Sequence, residues 1–204
     1  MEKHNEIKRI VIIGGMGPQA SIHAQKRLQQ LLIENNKNAE IIHISLVVDH
    51  FFDSEPKLKL SERQKSLLGS IDADIGFIAC NTAHLFFDEI SSLVQFELIS
   101  IIDFDKEINS LMVCSPTSRK HRIFGDDVQH LSDELDDLSG EIISLVNNGI
   151  EIEAIDRFRK LVSLLPKELR AILSCTELSM LSSKLGVPME CTLEASLKKL
   201  VQGV

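Results

Sequence analysis

The feature that most constrains this chain is a regular alternation of short apolar runs with longer amphipathic stretches. Buried strands are predicted at 9–13, 40–48, 74–79, 97–102, 110–114, 121–124 and 169–174, and helices at 19–34, 57–70, 82–95, 127–147, 151–164 and 177–185. Strands that alternate with helices are typical of parallel sheets with helical crossovers, so the pattern predicts an α/β fold. In the first helix, Ile22, Leu28, Leu31 and Leu32 recur at helical spacing and are expected on its buried face.

The series of strands and helices runs twice, with a seam near 103–110. A chain of 204 residues is long enough for one large domain or two small ones. We expect two similar parallel-sheet units with a functional site in the cleft between them. The first α/β domain is predicted at 1–103 and a second, trimmed one at 104–185, while residues 186–204 are expected to pack back on the first.

Charge and hydropathy exclude several classes of protein. The formal net charge of −8 argues against a nucleic-acid partner, since such proteins carry a basic footprint. No apolar run approaches the length that spans a bilayer, and the run Ile10–Ile13 is too short for a signal peptide, so we expect a cytoplasmic protein without a membrane partner. The spacing of the four cysteines fits neither a disulfide scaffold nor a zinc site, so no metal is expected.

Two cysteines share one local pattern of apolar strand, small residue, Cys, a Thr within two positions, and then helical spacing. Cys80 follows GFIA and precedes Asn81 and Thr82, while Cys175 follows AILS and precedes Thr176. The two cysteines are 95 residues apart, nearly half the chain. One structural element is therefore expected to occur once in each unit.

The position of these cysteines has a chemical meaning. Ligands of open α/β sheets bind at the carboxyl ends of the strands, where the N–H groups of the following helix can hold a carboxylate. The same helix end lowers the pKa of a thiol from about 8.5 toward neutrality. If the two thiols face one another across a cleft, one can remove a proton from a carbon while the other returns a proton to the opposite face. Such an inversion of a stereocentre needs no cofactor or metal.

Three neighbouring features qualify this interpretation. Glu177 can orient the Cys175 thiol or a substrate ammonium group. His84 lies one helical turn after Cys80, where it can tune that thiol, cap the helix or face solvent. Cys191 is expected only to pack, because it lacks the context of the other two turns. Cys114 ends a strand from which it could reach the same cleft, and it too is expected to pack.

The first strand ends in a glycine-rich loop, Gly14-Gly15-Met16-Gly17-Pro18. Its glycines allow the backbone to approach a ligand closely and to reach positive φ, and the proline suits the first turn of a helix. The loop does not fit the GxGxxG pattern of a dinucleotide site. We expect it to line the functional site.

Together, IIGGMGPQAS (Ile12–Ser21), ACNTAH (Ala79–His84) and SCTEL (Ser174–Leu178) resemble the aspartate/glutamate racemase family, most closely its aspartate racemase branch and its broad-specificity amino-acid racemases. The resemblance implies an amino-acid racemase that is independent of pyridoxal phosphate, has no cofactor and forms a homodimer. It places Cys80 and Cys175 at the positions of the paired acid–base cysteines. It also assigns Asn81, Thr82 and Thr176 to the carboxylate cradle, and Gly15, Met16 and Gly17 to the loop that lines the site.

The sequence departs from the family pattern in its second half. A GTxGT-like turn is replaced by Val113–Ser118, where Ser115, Thr117 and Ser118 retain hydroxyl groups. Of these, Ser115 and Thr117 are candidates for substrate binding. A helix that relatives carry before Asp127 is missing, which predicts the trimmed second unit. No arginine follows the second strand, so the candidates to hold a distal carboxylate are His50, Lys57, Arg119 and Lys120.

Two other functions remain open at this point. The same scaffold could isomerise or decarboxylate small dicarboxylates with one cysteine, or it could bind a ligand without catalysis. The paired thiols favour proton exchange on two faces. In each case the expected partner is a small amino acid or dicarboxylate.

Overall fold

The chain folds into two four-stranded parallel sheets flanked by helices, which confirms the predicted α/β fold of two similar units. The computed structural model describes residues 7–47, 55, 57–103 and 110–204. The elements of the first unit are β1 (Lys8–Gly14), α1 (Pro18–Glu34), β2 (Ala39–Ser45), α2 (Glu62–Gly69), β3 (Ile75–Ile78), a 3₁₀ helix (Thr82–Phe86), α3 (Phe87–Ser91) and β4 (Glu97–Ile99). Those of the second are β5 (Leu111–Cys114), α4 (Pro116–Lys120), β6 (Gln129–His130), α5 (Asp133–Asn147), α6 (Glu151–Leu164), β7 (Ala171–Ser174), α7 (Thr176–Leu185), β8 (Glu190–Cys191) and α8 (Thr192–Gly203).

The two sheets have the same topology. Their strand orders are β2-β1-β3-β4 and β6-β5-β7-β8, and all strand pairs are parallel. In each sheet the chain moves outward in opposite directions from the two central strands. The crevices beyond β1/β3 and β5/β7 are therefore topological switch points, the usual place for a ligand in open α/β sheets.

The central strand β1 is covered by the hydrophobic core on both faces. Residues 10–13 are completely buried, as expected for a parallel strand covered on both faces. Ile10 and Ile12 pack with α1 and with the apolar face of α8, whereas Val11 and Ile13 face the other layer. The C-terminal helix thus covers the first sheet, although it follows the last strand of the second.

Several local predictions are corrected. The segment 121–124 is a turn with Arg122 at φ 49°, and the sixth strand is β6 instead. Ile22 is 61% exposed, because the buried face of α1 is formed by Ala20, Ala24, Leu28 and Leu31. The predicted helix at 127–147 begins only at Asp133, after Ser132 at its N-cap. The short strand β8 was not predicted, since a two-residue strand gives no apolar run.

The second unit has a shorter crossover than the first. The helix between β5 and β6 has 5 residues, whereas the equivalent helix between β1 and β2 has 17. Residues 104–109, at the predicted domain boundary, lie outside the described residues. Within the described ranges, no helix is both long and apolar enough to cross a membrane.

Candidate active site

Both cysteine turns lie at equivalent positions of the two sheets. Cys80 follows β3, and Cys175 follows β7, the topologically equivalent strand of the second sheet. Both residues are 5% exposed. The glycine-rich loop after β1 and the turn after β5 end the neighbouring central strands. All four turns therefore lie at switch points.

Each cysteine side chain lies beside the same pair of backbone N–H groups. Those of Thr82 and Ala83 act electrostatically on the Cys80 thiol, and those of Glu177 and Leu178 act on the Cys175 thiol. In both turns these groups belong to the second and third residues after the cysteine. The local sequence Cys-(Asn)-Thr before a helix thus places N–H groups of the first helical turn near a sulfur.

The protonation state of the thiols differs from the prediction. Burial raises the pKa of Cys80 to about 12, and the pKa of Cys175 is raised well above its usual range for the same reason. The backbone N–H groups lower both values, but removal from water outweighs them because it disfavours the charged thiolate. Without a bound ligand, both residues are therefore neutral thiols at pH 7.

Glu177 connects the parts of the site. The Cys175 thiol donates to Glu177 Oε2 at 3.0 Å, and the Thr176 hydroxyl donates to the same oxygen at 3.1 Å. The negative charge of Glu177 also raises the pKa of Cys80, so this carboxylate lies near both thiols. Of the two predicted roles for Glu177, contact with the Cys175 thiol is the one present in the structure.

The glycine-rich loop fits closely around this carboxylate. A Cβ atom on Gly17 would lie 2.0 Å from Glu177 Oε1. Gly15 has φ +104°, and a Cβ there would lie 2.0 Å from the carbonyl oxygen of Leu46. Met16 is buried in the same cluster as Cys80. Gly14 is restricted as well, since a Cβ there would lie 2.4 Å from Ser21 Cβ. All three glycines of the GGMGP loop therefore have a close neighbour at the Cβ position, and Gly15 also needs its positive φ.

A group of three hydroxyls joins the two units. Thr82 Oγ1 lies 3.0 Å from Ser115 Oγ and 2.9 Å from Ser118 Oγ, and the two serine oxygens are 2.9 Å apart. Ser115 also caps α4 by accepting from the Ser118 N–H group. Ser118, rather than the predicted Thr117, completes this group, because Thr117 lies on another side of the first turn of α4.

Asn81 contributes a buried amide beside Cys80. The residue is 2% exposed, and its Oδ1 accepts a hydrogen bond from the Thr192 hydroxyl at 3.0 Å. Its Nδ2 has no hydrogen-bond partner among the described residues. Buried polar groups are normally satisfied, so this free donor is a place where an acceptor can bind.

His84 forms hydrogen bonds with the backbone of the Cys80 turn and of the segment after β4. Its Nδ1 donates to the carbonyl oxygens of Cys80 and Asn81 at 2.9 and 3.2 Å, and its Nε2 accepts from the N–H group of Ile101 at 3.1 Å. Burial lowers the pKa of His84 to about 4, so the ring is neutral at pH 7. Both ring nitrogens are used by the backbone, so His84 holds the cysteine turn in shape without touching the thiol.

Sequence reasoning missed a third cysteine turn. Cys191 ends β8, precedes Thr192 and caps α8, with its Sγ accepting from the Glu194 N–H group at 3.3 Å. The expectation that Cys191 lacks the strand-Cys-Thr-helix context is therefore wrong. The dipeptide Cys-Thr before an amphipathic helix was the available signal, but the two-residue strand in front of it gave none.

The residues predicted to hold a distal carboxylate have different surroundings in the structure. Arg119 is held by Asp133 at 2.6 Å and by Asp136 at 3.1 Å, and Asp136 is itself buried. Lys57 is exposed, and His50 lies outside the described residues. Among the residues that the structure describes, no group of three His, Cys, Asp or Glu residues could hold a metal ion.

Comparison with known proteins supports the fold. No protein-family model matches the sequence, and no curated protein does. An aspartate racemase homologue from Pyrococcus horikoshii OT3 has a similar structure, with a TM-score of 0.67, 21% identity, and coverage of 96% of this chain and 98% of that chain. A candidate Asp/Glu racemase from Yersinia pestis is similar with a TM-score of 0.62, 17% identity, and coverage of 97% and 99%. The chain therefore has the fold of these two proteins over nearly its whole length.

Proposed function

We propose that this chain is a cofactor-independent amino-acid racemase of the aspartate/glutamate racemase family, with Cys80 and Cys175 as its acid–base pair. The fold likeness to an aspartate racemase homologue supports the proposal, and so do the GGMGP, CNT and CTE motifs. We further expect the protein to act in the cytoplasm as a homodimer on a small amino acid.

The observation that carries the proposal is the matched pair of thiols. A single buried cysteine is commonly only a packing residue. Here two cysteines follow equivalent strands, the N–H groups of the second and third following residues act on each thiol, and the charge of Glu177 acts on both. Packing alone does not require this repetition, whereas proton exchange on two faces of one carbon does.

The substrate carboxylate needs donors, because proton removal from Cα develops enolate-like charge. The free Nδ2 of Asn81 is one such donor, and the hydroxyl group of Thr82 with Ser115 and Ser118 lies in the same region. These donors are held by hydrogen bonds to neighbouring side chains before a ligand arrives. Such preorganised hydrogen bonds stabilise developing charge without reorganisation during the reaction.

Two effects can generate a thiolate from a thiol of high pKa. The ammonium group of a bound amino acid supplies positive charge, which favours the thiolate. Glu177 Oε2 already accepts the hydrogen bond of the Cys175 thiol and can take its proton. The Cys175 thiolate then removes the Cα proton, and the Cys80 thiol donates its proton to the opposite face of the carbanion.

At the end of this half-reaction Cys175 is again a thiol and Cys80 is a thiolate. That state is the starting point for the opposite enantiomer, with the two cysteines in exchanged roles. The proton held by Glu177 returns to Cys80 when the product leaves. The net change is inversion at Cα, with no change in oxidation state.

Two measurements on the same samples test the proposal. Proton NMR in D₂O follows exchange at Cα for both enantiomers of aspartate, glutamate and a panel of neutral and basic amino acids, and chiral chromatography follows inversion. Wild type should exchange and invert at least one amino acid. Cys80→Ala and Cys175→Ala should each lower inversion by about 100- to 10,000-fold, the usual contribution of an acid–base group.

Cys114→Ala is the matched control, because Cys114 is equally buried but ends β5 outside the two turns. It should retain the wild-type rate. Inversion that persists in either Cys80→Ala or Cys175→Ala would refute the two-base mechanism. A folded wild-type protein that exchanges no amino acid would refute the racemase proposal and favour dicarboxylate chemistry or ligand binding.

A further inference from the structure

The orientation of the Asn81 amide is set by a residue from the far end of the chain. Thr192 is completely buried, and its hydroxyl donates to Asn81 Oδ1 at 3.0 Å. These residues are 111 positions apart. The amide nitrogen, on the opposite end of the same group, has no partner among the described residues.

An amide group has two ends of similar shape and opposite hydrogen-bonding character. One end accepts, and the other donates two protons. With Oδ1 turned to Thr192, the hydroxyl proton is satisfied and the NH₂ group is turned away from α8. If the amide were reversed, its NH₂ group would face the Thr192 hydroxyl. The hydroxyl proton would then need an acceptor other than Asn81. The described contacts of Thr192 give that hydroxyl no second hydrogen bond.

The turn that carries Thr192 is firmly held. Arg27 of α1 makes two hydrogen bonds of 2.7 Å to Glu194, in the first turn of α8. One helical turn further on, the Ser196 hydroxyl donates to the carbonyl oxygen of Ile101 at 3.3 Å. The apolar face of α8 packs against β1 and α1. Thr192 is thus placed by contacts of α8 with the first unit as well as by its own strand, in which Cys191 pairs with Leu173.

We propose that Thr192 is a positioning residue, which turns the NH₂ group of Asn81 toward the carboxylate of the bound amino acid. This inference rests on the proposed function, because it takes the anion beside Asn81 to be the substrate carboxylate. The C-terminal helix then has a role in substrate binding as well as in the core. The donor to the substrate carboxylate is then supplied by one segment and oriented by another.

The test compares three variants on helix α8. Thr192→Val keeps the shape and removes the hydroxyl, Thr192→Ser keeps the hydroxyl, and Ser196→Ala removes an equally buried hydroxyl that does not contact Asn81. Loss of a net hydrogen bond corresponds to about a three- to tenfold loss of affinity. We expect Thr192→Val to raise KM by that factor with a smaller change in kcat, and Thr192→Ser and Ser196→Ala to stay within about twofold of wild type.

The side-chain NH₂ signals of Asn81, in protein labelled with ¹⁵N at asparagine, give a second readout that needs no substrate. They should shift or broaden in Thr192→Val and stay in place in Thr192→Ser and Ser196→Ala. A merely structural role would lower the active fraction, and so kcat, without moving KM. An unchanged KM together with unchanged Asn81 signals in Thr192→Val would overturn the proposal.

The two proposals fail in different ways. If wild type acts on no amino acid, the proposed function fails, and the carboxylate assigned to Asn81 fails with it. The Asn81 signals still decide whether Thr192 orients the amide. If wild type is active and Thr192→Val matches Ser196→Ala in KM and in the NMR spectrum, only the role of Thr192 is wrong.

Discussion

Gly17→Ala tests whether the glycine loop and the second cysteine turn form one site. The backbone at Gly17 has φ −137° and ψ 92°, which alanine adopts freely, so any effect comes from the added methyl group. That methyl group would lie 2.0 Å from Glu177 Oε1 and 3.1 Å from Cδ. The carboxylate must move by roughly 1.5 Å to regain an ordinary contact.

Such a movement would break the hydrogen bonds that Glu177 Oε2 accepts from Cys175 at 3.0 Å and from Thr176 at 3.1 Å. Glu177 is 4% exposed, so it cannot turn into water without disrupting the core. Overpacking of a well-packed interior costs about 1–3 kcal/mol. For a chain of this size, that loss lowers the Tm by roughly 2–12 °C. We expect inversion activity to fall as well, because Glu177 accepts the hydrogen bond of the Cys175 thiol.

The decisive measurement is a double-mutant cycle by urea unfolding. In the Glu177→Ala background the clash is gone, and Gly17→Ala should be nearly neutral, because the gain of about 0.4–1 kcal/mol from restricting the unfolded chain is offset by the poorer N-cap of α1. Gly203→Ala is the control, since nothing lies within 4 Å of its Cβ position. If Gly17→Ala destabilises both backgrounds equally, Glu177 is not the reason for glycine at this position, and the link between the two turns is wrong.

Three further predictions concern the same site. Burial lowers the folded-state pKa of His84 to about 4, below the usual 6.5. The unfolded state therefore binds the proton more tightly, and stability should fall by about 3 kcal/mol as the pH drops from 6.5 to 4. In urea titrations His84→Gln should lose this pH dependence, while the exposed His121→Gln keeps it. Glu177→Gln removes a charge that raises the pKa of Cys80. Alkylation of Cys80 by iodoacetamide at pH 8, followed by mass spectrometry, should therefore become faster. An unchanged rate would contradict the proximity of the two groups. Thr82→Val breaks the hydrogen bonds to the two serines of α4 and should cost about 1–3 kcal/mol of unfolding free energy, whereas Thr82→Ser should cost less than half as much in the same urea titration.

The fold was predictable because its signals are local. Residues 10–13 form an unbroken apolar run, which only a strand buried on both faces accommodates, and the amphipathic stretches supply the crossover helices. The exceptions are elements too short to carry a pattern. β6 and β8 have two residues each, and their places are set by the neighbouring strands β5 and β7.

In the candidate site, too, the features set by local sequence were predictable and those set by tertiary contacts were not. The sequence by itself determined that Cys80 and Cys175 end equivalent strands before a helix, because strand, cysteine, threonine and helix are adjacent in the chain. It did not determine the pKa of either thiol, since the cost of burial depends on the whole surrounding core and here exceeds the effect of the N–H groups.

Only the tertiary structure decided which side chains meet across the site. A Cβ atom on Gly17 would clash with Glu177, Thr82 hydrogen-bonds to Ser118, and Thr192 hydrogen-bonds to Asn81 and orients it. These partners are far apart in the chain, and nothing in their local sequence specifies the pairing. They meet because two sheets of the same topology place the ends of their central strands together, and because α8 returns to pack on the first sheet.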